Sequence, residues 1–165
     1  SAFSPVSSPI TRANLTPVTN AQLGTNVPNP MLAGTVGWYT DLGIDAASGI
    51  AWRVVLNPQA FNGIVTFATS LTTATDPCSP QGSSRVYGVD YATVDSVLLP
   101  PAVGGFIPPY NQYTGAAINL RFTGANGSPE IVVGFTKGAP EKVSASLTGT
   151  LATRILNWRE IPTVE

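Results

Sequence analysis

Hydrophobic residues recur at every second position along several short stretches of this chain, the spacing of strands with one buried face. Ile118, Leu120 and Phe122 alternate with polar neighbours in 117–123, and Ile131, Val133 and Phe135 take one face in 130–136. Val143, Ala145, Leu147, Gly149 and Leu151 alternate with Ser144, Ser146, Thr148 and Thr150. The β-branched and aromatic run 64–70 predicts a strand in which Val65, Phe67, Thr69 and Leu71 share a face. Further strands are expected over 50–57, 85–90 and 153–161. Residues 58–63 read as a connection, with Asn62-Gly63 suited to a tight hairpin because both residues tolerate positive φ. No stretch reads as an amphipathic helix.

Proline decides where this pattern stops. Pro5, Pro9, Pro17, Pro28 and Pro30 interrupt residues 1–36, each removing a ladder donor and restricting the residue before it. That stretch also carries Phe3, Val6, Ile10, Leu15, Val18, Leu23, Val27, Met31 and Leu32, too apolar for a disordered linker. It is expected to be an extended or irregular arm packed against something. Residues 37–165 form the body, opening at Gly37-Trp38-Tyr39-Thr40-Asp41-Leu42. Within it, Pro100, Pro101, Pro108, Pro109 and Gly104-Gly105 mark a Pro/Gly-rich insertion near 97–113. About seven short strands joined by such turns predict an all-β fold: a sandwich, a barrel or part of a propeller. Propeller blades carry four strands each, so a propeller reading gives about two blades rather than a wheel.

Composition narrows the chemistry. Charged residues are 10% of the chain, against roughly 25% in ordinary globular proteins. The surface must then be covered by Ser, Thr, Asn, Gln and Gly, or be buried against partner sequence. The net charge is −1, and the eight basic residues are scattered, so nucleic-acid binding is not expected. No run approaches the ~18 apolar residues of a membrane-spanning helix. Ser1-Ala2-Phe3 does not open a signal peptide, which leaves a mature form or a cropped chain.

Histidine is absent, which removes the commonest general base and the commonest metal ligand. Cys78 is the single cysteine; it cannot build a zinc site or an internal disulfide. It is either a free, partly buried thiol or half of a disulfide to an upstream or separate chain. No Gly-x-Ser-x-Gly elbow occurs, and Glu130, Glu141 and Glu160 are distant in sequence. No catalytic, cofactor or metal residue is assigned. Asp76 and Asp90 read as turn-capping residues. Trp38, Trp52 and Trp158 are expected to pack internally, whereas Tyr110 and Tyr113, in a Pro/Gly-rich loop, are the candidate interaction surface.

The run Asp76-Pro77-Cys78-Ser79-Pro80-Gln81-Gly82-Ser83-Ser84-Arg85-Val86-Tyr87-Gly88-Val89-Asp90 resembles the C-terminal part of the PilY/PilC family of type IV pilus-associated proteins. Trp38–Leu42, Arg53–Pro58, Phe61–Thr69 and the ending Ile155-Leu156-Asn157-Trp158-Arg159-Glu160-Ile161 support the likeness, which covers about 37–91 and 143–161. It implies a C-terminal section of a β-propeller in a large exported protein at the pilus tip or outer membrane, reached through the periplasm. Such a protein supports pilus biogenesis and adhesion without chemistry of its own. The implied partners are upstream propeller sequence or a companion chain, minor pilins and a host-surface receptor. Some members bind calcium in an Asp-rich loop; no such cluster occurs here, and calcium is implied for the parent protein alone. Two alternatives stand beside this one: a fragment of a periplasmic quinone-dependent dehydrogenase-like propeller, and a compact carbohydrate-binding β-sandwich.

Overall fold

The computed structural model describes residues 9–24, 36–61, 63–72, 82–98, 109–123 and 130–144. Their strands are β1 (Thr16–Val18), β2 (Trp38–Thr40), β3 (Arg53–Val54), β4 (Gln59–Phe61), β5 (Ile64–Thr72), β6 (Gly82–Asp90), β7 (Asn111–Thr114), β8 (Ala117–Thr123), β9 (Glu130–Phe135) and β10 (Glu141–Ser144). Two 3₁₀ turns, Arg12–Asn14 and Asn20–Leu23, flank β1. The described residues contain no α-helix. The domain is all-β.

Three sheets form. The five-stranded middle sheet runs β3-β5-β6-β7, with β4 also on β5. Its centre is the antiparallel pair β5–β6, in register from Ile64↔Asp90 to Thr72↔Gly82. A three-stranded antiparallel sheet follows the order β10-β9-β8, and β1 pairs with β2 in parallel. Among the described residues no sheet closes on itself.

Alternation along β5 and β6 gives the middle sheet two buried faces. On the first, Ile64, Ala68 and Val86 pack with Leu120, Ile131, Val133, Phe135 and Val143 of the three-stranded sheet. On the second, Phe67, Tyr87 and Val89 pack with Val94 and with Val18 and Leu23 of the N-terminal segment. Val65, Trp38, Leu42 and Tyr110 close over that second cluster. Val18 and Leu23 are thus held on the body while Ile10 is exposed, and an ion pair between Arg12 and Asp41, 2.6 Å apart, spans the same junction.

Several expected elements change in detail. The strand expected over 50–57 contracts to Arg53–Val54, and 59–61, read as a connection, is β4. Both pair with β5 on one side, at Arg53↔Ser70 and at Gln59↔Thr66. They form one edge interrupted near Pro58, which has no N–H for the ladder. Phe61↔Ile64 pairing fixes the tight connection at 62–63, with Gly63 at φ +86°. Strand β6 begins three residues earlier than the expected Arg85, at Gly82. The tyrosine-bearing segment is not all loop, since Asn111–Thr114 is β7.

Ile118 departs from its expected face. Ala117 pairs with Phe135 and Asn119 with Gly134, so one extra residue sits in β8 between them. This bulge shifts the phase of alternation. Ala117 and Leu120 are buried while Ile118 is 59% exposed. Ile131, Val133 and Phe135, on a strand without such an insertion, share the buried face as expected.

A buried serine pair ties the two larger sheets together. The Ser84 hydroxyl accepts from the Ala117 amide and donates to the Gly115 carbonyl, both at 2.7 Å. Its one proton is then used, so in the 3.2 Å contact with Ser70 it is Ser70 that donates. Ser84→Ala is expected to cost about 1–2 kcal/mol, because buried polar groups lose partners that water cannot replace. The urea midpoint should fall with an unchanged slope; an unchanged midpoint would show that the network adds nothing.

Candidate functional site

The second face of the middle sheet gathers aromatic rings around one cation. Arg85 and Tyr87 lie two apart on β6 and therefore share a side. Thr69 of β5 is opposite Arg85, and Phe67 is opposite Tyr87. Gln112 of β7 is opposite Arg85 from the other flank. Phe67 and Tyr87 stack with centroids 4.5 Å apart and planes 9° apart. Tyr110 tilts against Tyr87 at 5.3 Å.

Arg85 is held between two rings. Its guanidinium carbon is 3.9 Å from the Trp52 ring centroid and 4.3 Å from that of Tyr110, close enough for cation–π attraction on both sides. Its Nε donates to Gln112 Oε1 at 3.4 Å. Among the described residues it forms no ion pair. Asp45 lies near enough to feel its charge. The neighbouring hydroxyls of Tyr87 and Thr69 are buried and find no hydrogen-bond partner among the described residues. Burial holds the Tyr87 phenol above its ordinary pKa, while the nearby Arg85 charge pulls it down.

Tyr110 and Tyr113 are not brought together. They stand an odd number of positions apart, so they fall on opposite faces of the sheet. Tyr110 joins the Arg85 cluster. Tyr113 is half-buried at the inter-sheet core, 4.8 Å from the Phe135 ring, and burial raises its pKa. Trp52 is buried. Trp38 is half-buried, and its Nε1 donates to the Tyr91 carbonyl at 3.1 Å. Val36, Gly37, Trp38, Val65, Tyr91 and Ala92 line an open, mostly apolar depression of about 570 Å³.

The carboxylates are occupied locally. Asp90 accepts from the amides of Ala92 and Thr93 at 2.8 and 3.0 Å, the turn-capping role expected for it. Glu130 pairs with Lys142 at 3.2 Å, while Glu141 lies opposite Val133, towards the other end of β9. Asp41 holds Arg12, and Asp45 accepts from the Ser48 amide and hydroxyl. These two carboxylates do not build a calcium shell, which takes six or more oxygens. No metal-holding group of His, Cys, Asp or Glu occurs among the described residues. Asp76, Cys78, Trp158 and Glu160 lie outside the described residues.

The Ser48 hydrogen bonds favour ionised Asp45, so its pKa is lowered from 3.8. A depressed carboxylate contributes its stability in full above the unfolded value and loses it as pH falls through the folded one. The 45–50 turn, closed by the Asp45 amide donating to the Ile50 carbonyl, is expected to loosen below pH 3.8. Amide exchange at Ser48 should accelerate there, and Asp45→Asn should flatten that pH dependence.

Comparison with protein-family models, with curated proteins and with solved structures gave no match. The Arg85 cluster was missed in the sequence pattern, although a signal was present. Arg85, Tyr87 and Val89 occupy one face of a strand, so a cation there must be paired, stacked or at an edge. Nothing sequence-local marked Trp52 as its partner.

Proposed function

We propose that this chain is a non-enzymatic interaction segment: the C-terminal section of a β-propeller in a type IV pilus-associated protein that supports pilus biogenesis and adhesion. The observation that carries this reading is the burial of β5 and β6 on both faces, with Ile64, Ala68 and Val86 on one side and Phe67, Tyr87 and Val89 on the other. A blade inside a propeller is covered on both faces by its neighbours, whereas a sheet of a two-layer sandwich commonly faces water on one. The likeness of 76–90 and 37–69 to the PilY/PilC family adds the pilus context. Val54 and Phe61, both exposed on the edge formed by β3 and β4, would meet upstream sequence or a companion chain.

The test is structure determination of the parent polypeptide, paired with deletion of residues 37–165 from it in the producing cell. Further four-stranded blades upstream, loss of surface pili and loss of minor-pilin capture are expected. A parent without blades, or normal piliation after the deletion, would sink the proposal.

A compact carbohydrate-binding sandwich is favoured by one observation. The middle and three-stranded sheets pack face to face over one apolar cluster, and beside Trp38 the residue Tyr91 is 60% exposed at the depression. Glycan-array binding that disappears in Tyr91→Ala would establish that reading instead.

A further inference from the structure

We propose that the outer edge of the Arg85 guanidinium, clamped between Trp52 and Tyr110, is a binding site for a carboxylate presented by an acidic side chain of a partner protein. Arg85 is half-buried, its guanidinium carbon 3.9 Å from the Trp52 centroid and 4.3 Å from that of Tyr110. Contact with both rings restricts the side chain in advance, so less rotamer entropy remains to be lost on binding. One donor, Nε, is engaged, and weakly, at 3.4 Å to Gln112. The group has no ion-pair partner among the described residues. Beside it the Tyr87 and Thr69 hydroxyls are buried and make no hydrogen bond of ordinary geometry, although Tyr87 lies within electrostatic reach of both Arg85 and Thr69. A half-buried cation with no ion-pair partner among the described residues carries a desolvation cost, and an incoming anion offsets it.

The charge and shape of the site choose the anion. Among the described residues Arg85 is the only cation in the cluster, and Asp45 contributes a nearby negative charge. A doubly charged phosphate would meet too little positive charge, whereas a planar monoanion matches the fork in a bidentate pair. The source follows from the rings. The guanidinium already lies over the Trp52 and Tyr110 rings, and Trp52 is otherwise buried, so a uronic acid gains little platform. A narrow Asp or Glu side chain approaches edge-on within the plane. The site stands on this chain's own geometry and is independent of the pilus reading, which rests on the coverage of the middle sheet.

The probe is N-acetyl-aspartate N-methylamide, titrated into the isotope-labelled full chain while the Arg85 Nε–H and Trp52 indole N–H resonances are followed. Saturable shifts at both are expected, with a dissociation constant of about 1–10 mM for so small a ligand. Arg85→Gln should abolish the shift at the Trp52 indole, the reporter that both Arg85 variants retain. Arg85→Lys, which keeps the charge between the rings and guards against misfolding of the Gln variant, should weaken binding about tenfold by removing the fork. Arg12→Gln, at an exposed cation elsewhere, should leave binding unchanged. No saturable shift at about 100 mM probe, or equal binding by either Arg85 variant, would overturn the proposal. Tighter binding of glucuronate or of inorganic phosphate than of the aspartate probe would overturn its assignment to a protein carboxylate.

Discussion

Tyr87→Ala should be the most damaging single truncation in the described core, costing about 3–5 kcal/mol. Tyr87 is fully buried, stacks on Phe67 and is braced by Tyr110. It lies in the cluster through which Val18 and Leu23 are held against the middle sheet. Its removal opens a cavity that β5 and β6 cannot collapse into, because their other face is packed as well. The loss is a large share of the ~5–15 kcal/mol by which domains are stable. Chemical denaturation should show it as a lowered midpoint, and amide exchange should show β1 released first. Tyr87→Phe should behave very differently. The hydroxyl is buried without a hydrogen bond of ordinary geometry, with Arg85 and Thr69 as polar neighbours, so deleting it removes a desolvation cost and leaves the ring packing intact. If Tyr87→Phe proves as harmful as Tyr87→Ala, the hydroxyl has a partner and the account of that face is wrong.

Gly88→Val is expected to cost about 3 kcal/mol by the opposite route, overpacking. Gly88 faces the three-stranded sheet from the centre of β6. A Cβ placed there would lie 2.9 Å from Leu98 Cδ2 and 3.2 Å from Ile131 Cδ1. Valine adds two more carbons to that contact. The spacing of the sheets is set here by the lack of a side chain, so insertion pushes β9 away from β6. Leu98→Ala should partly rescue Gly88→Val, with a coupling of about 1 kcal/mol or more in a double-mutant cycle. Strict additivity of the two changes would mean that Leu98 is not what the new side chain strikes.

Much of the strand content was legible because alternation is a local signal. Residues 117–123 and 130–135 carry it with strong β formers, and both become strands. The turn at Gly63 was legible for the same reason, since tolerance of positive φ is a property of glycine itself. The bulge in β8 was not. Ile118, Leu120 and Phe122 alternate perfectly in sequence, and only pairing with β9 shows that the extra residue turns Ile118 outward. Strand β4 was hidden between Pro58 and the hairpin; its residues have little strand character and are held there by β5.

The candidate site divides in the same way. Tyr110 and Tyr113 are close in sequence, yet the pleat sends them to opposite faces, which any strand assignment for 111–114 would have required. The clamp around Arg85 needed tertiary structure. Trp52, Arg85 and Tyr110 come from the edge beside β3, from β6 and from the start of β7, and no local pattern links them. The sequence by itself determined an all-β chain without histidine, with one cysteine and with the phase of unbulged strands such as Glu130–Phe135, since composition and period-two spacing are properties of neighbouring residues. The tertiary structure decided that the middle sheet is covered on both faces and that Arg85 lies between two rings. Those outcomes depend on which strands pair and which sheets stack, contacts between residues tens of positions apart that no local spacing encodes.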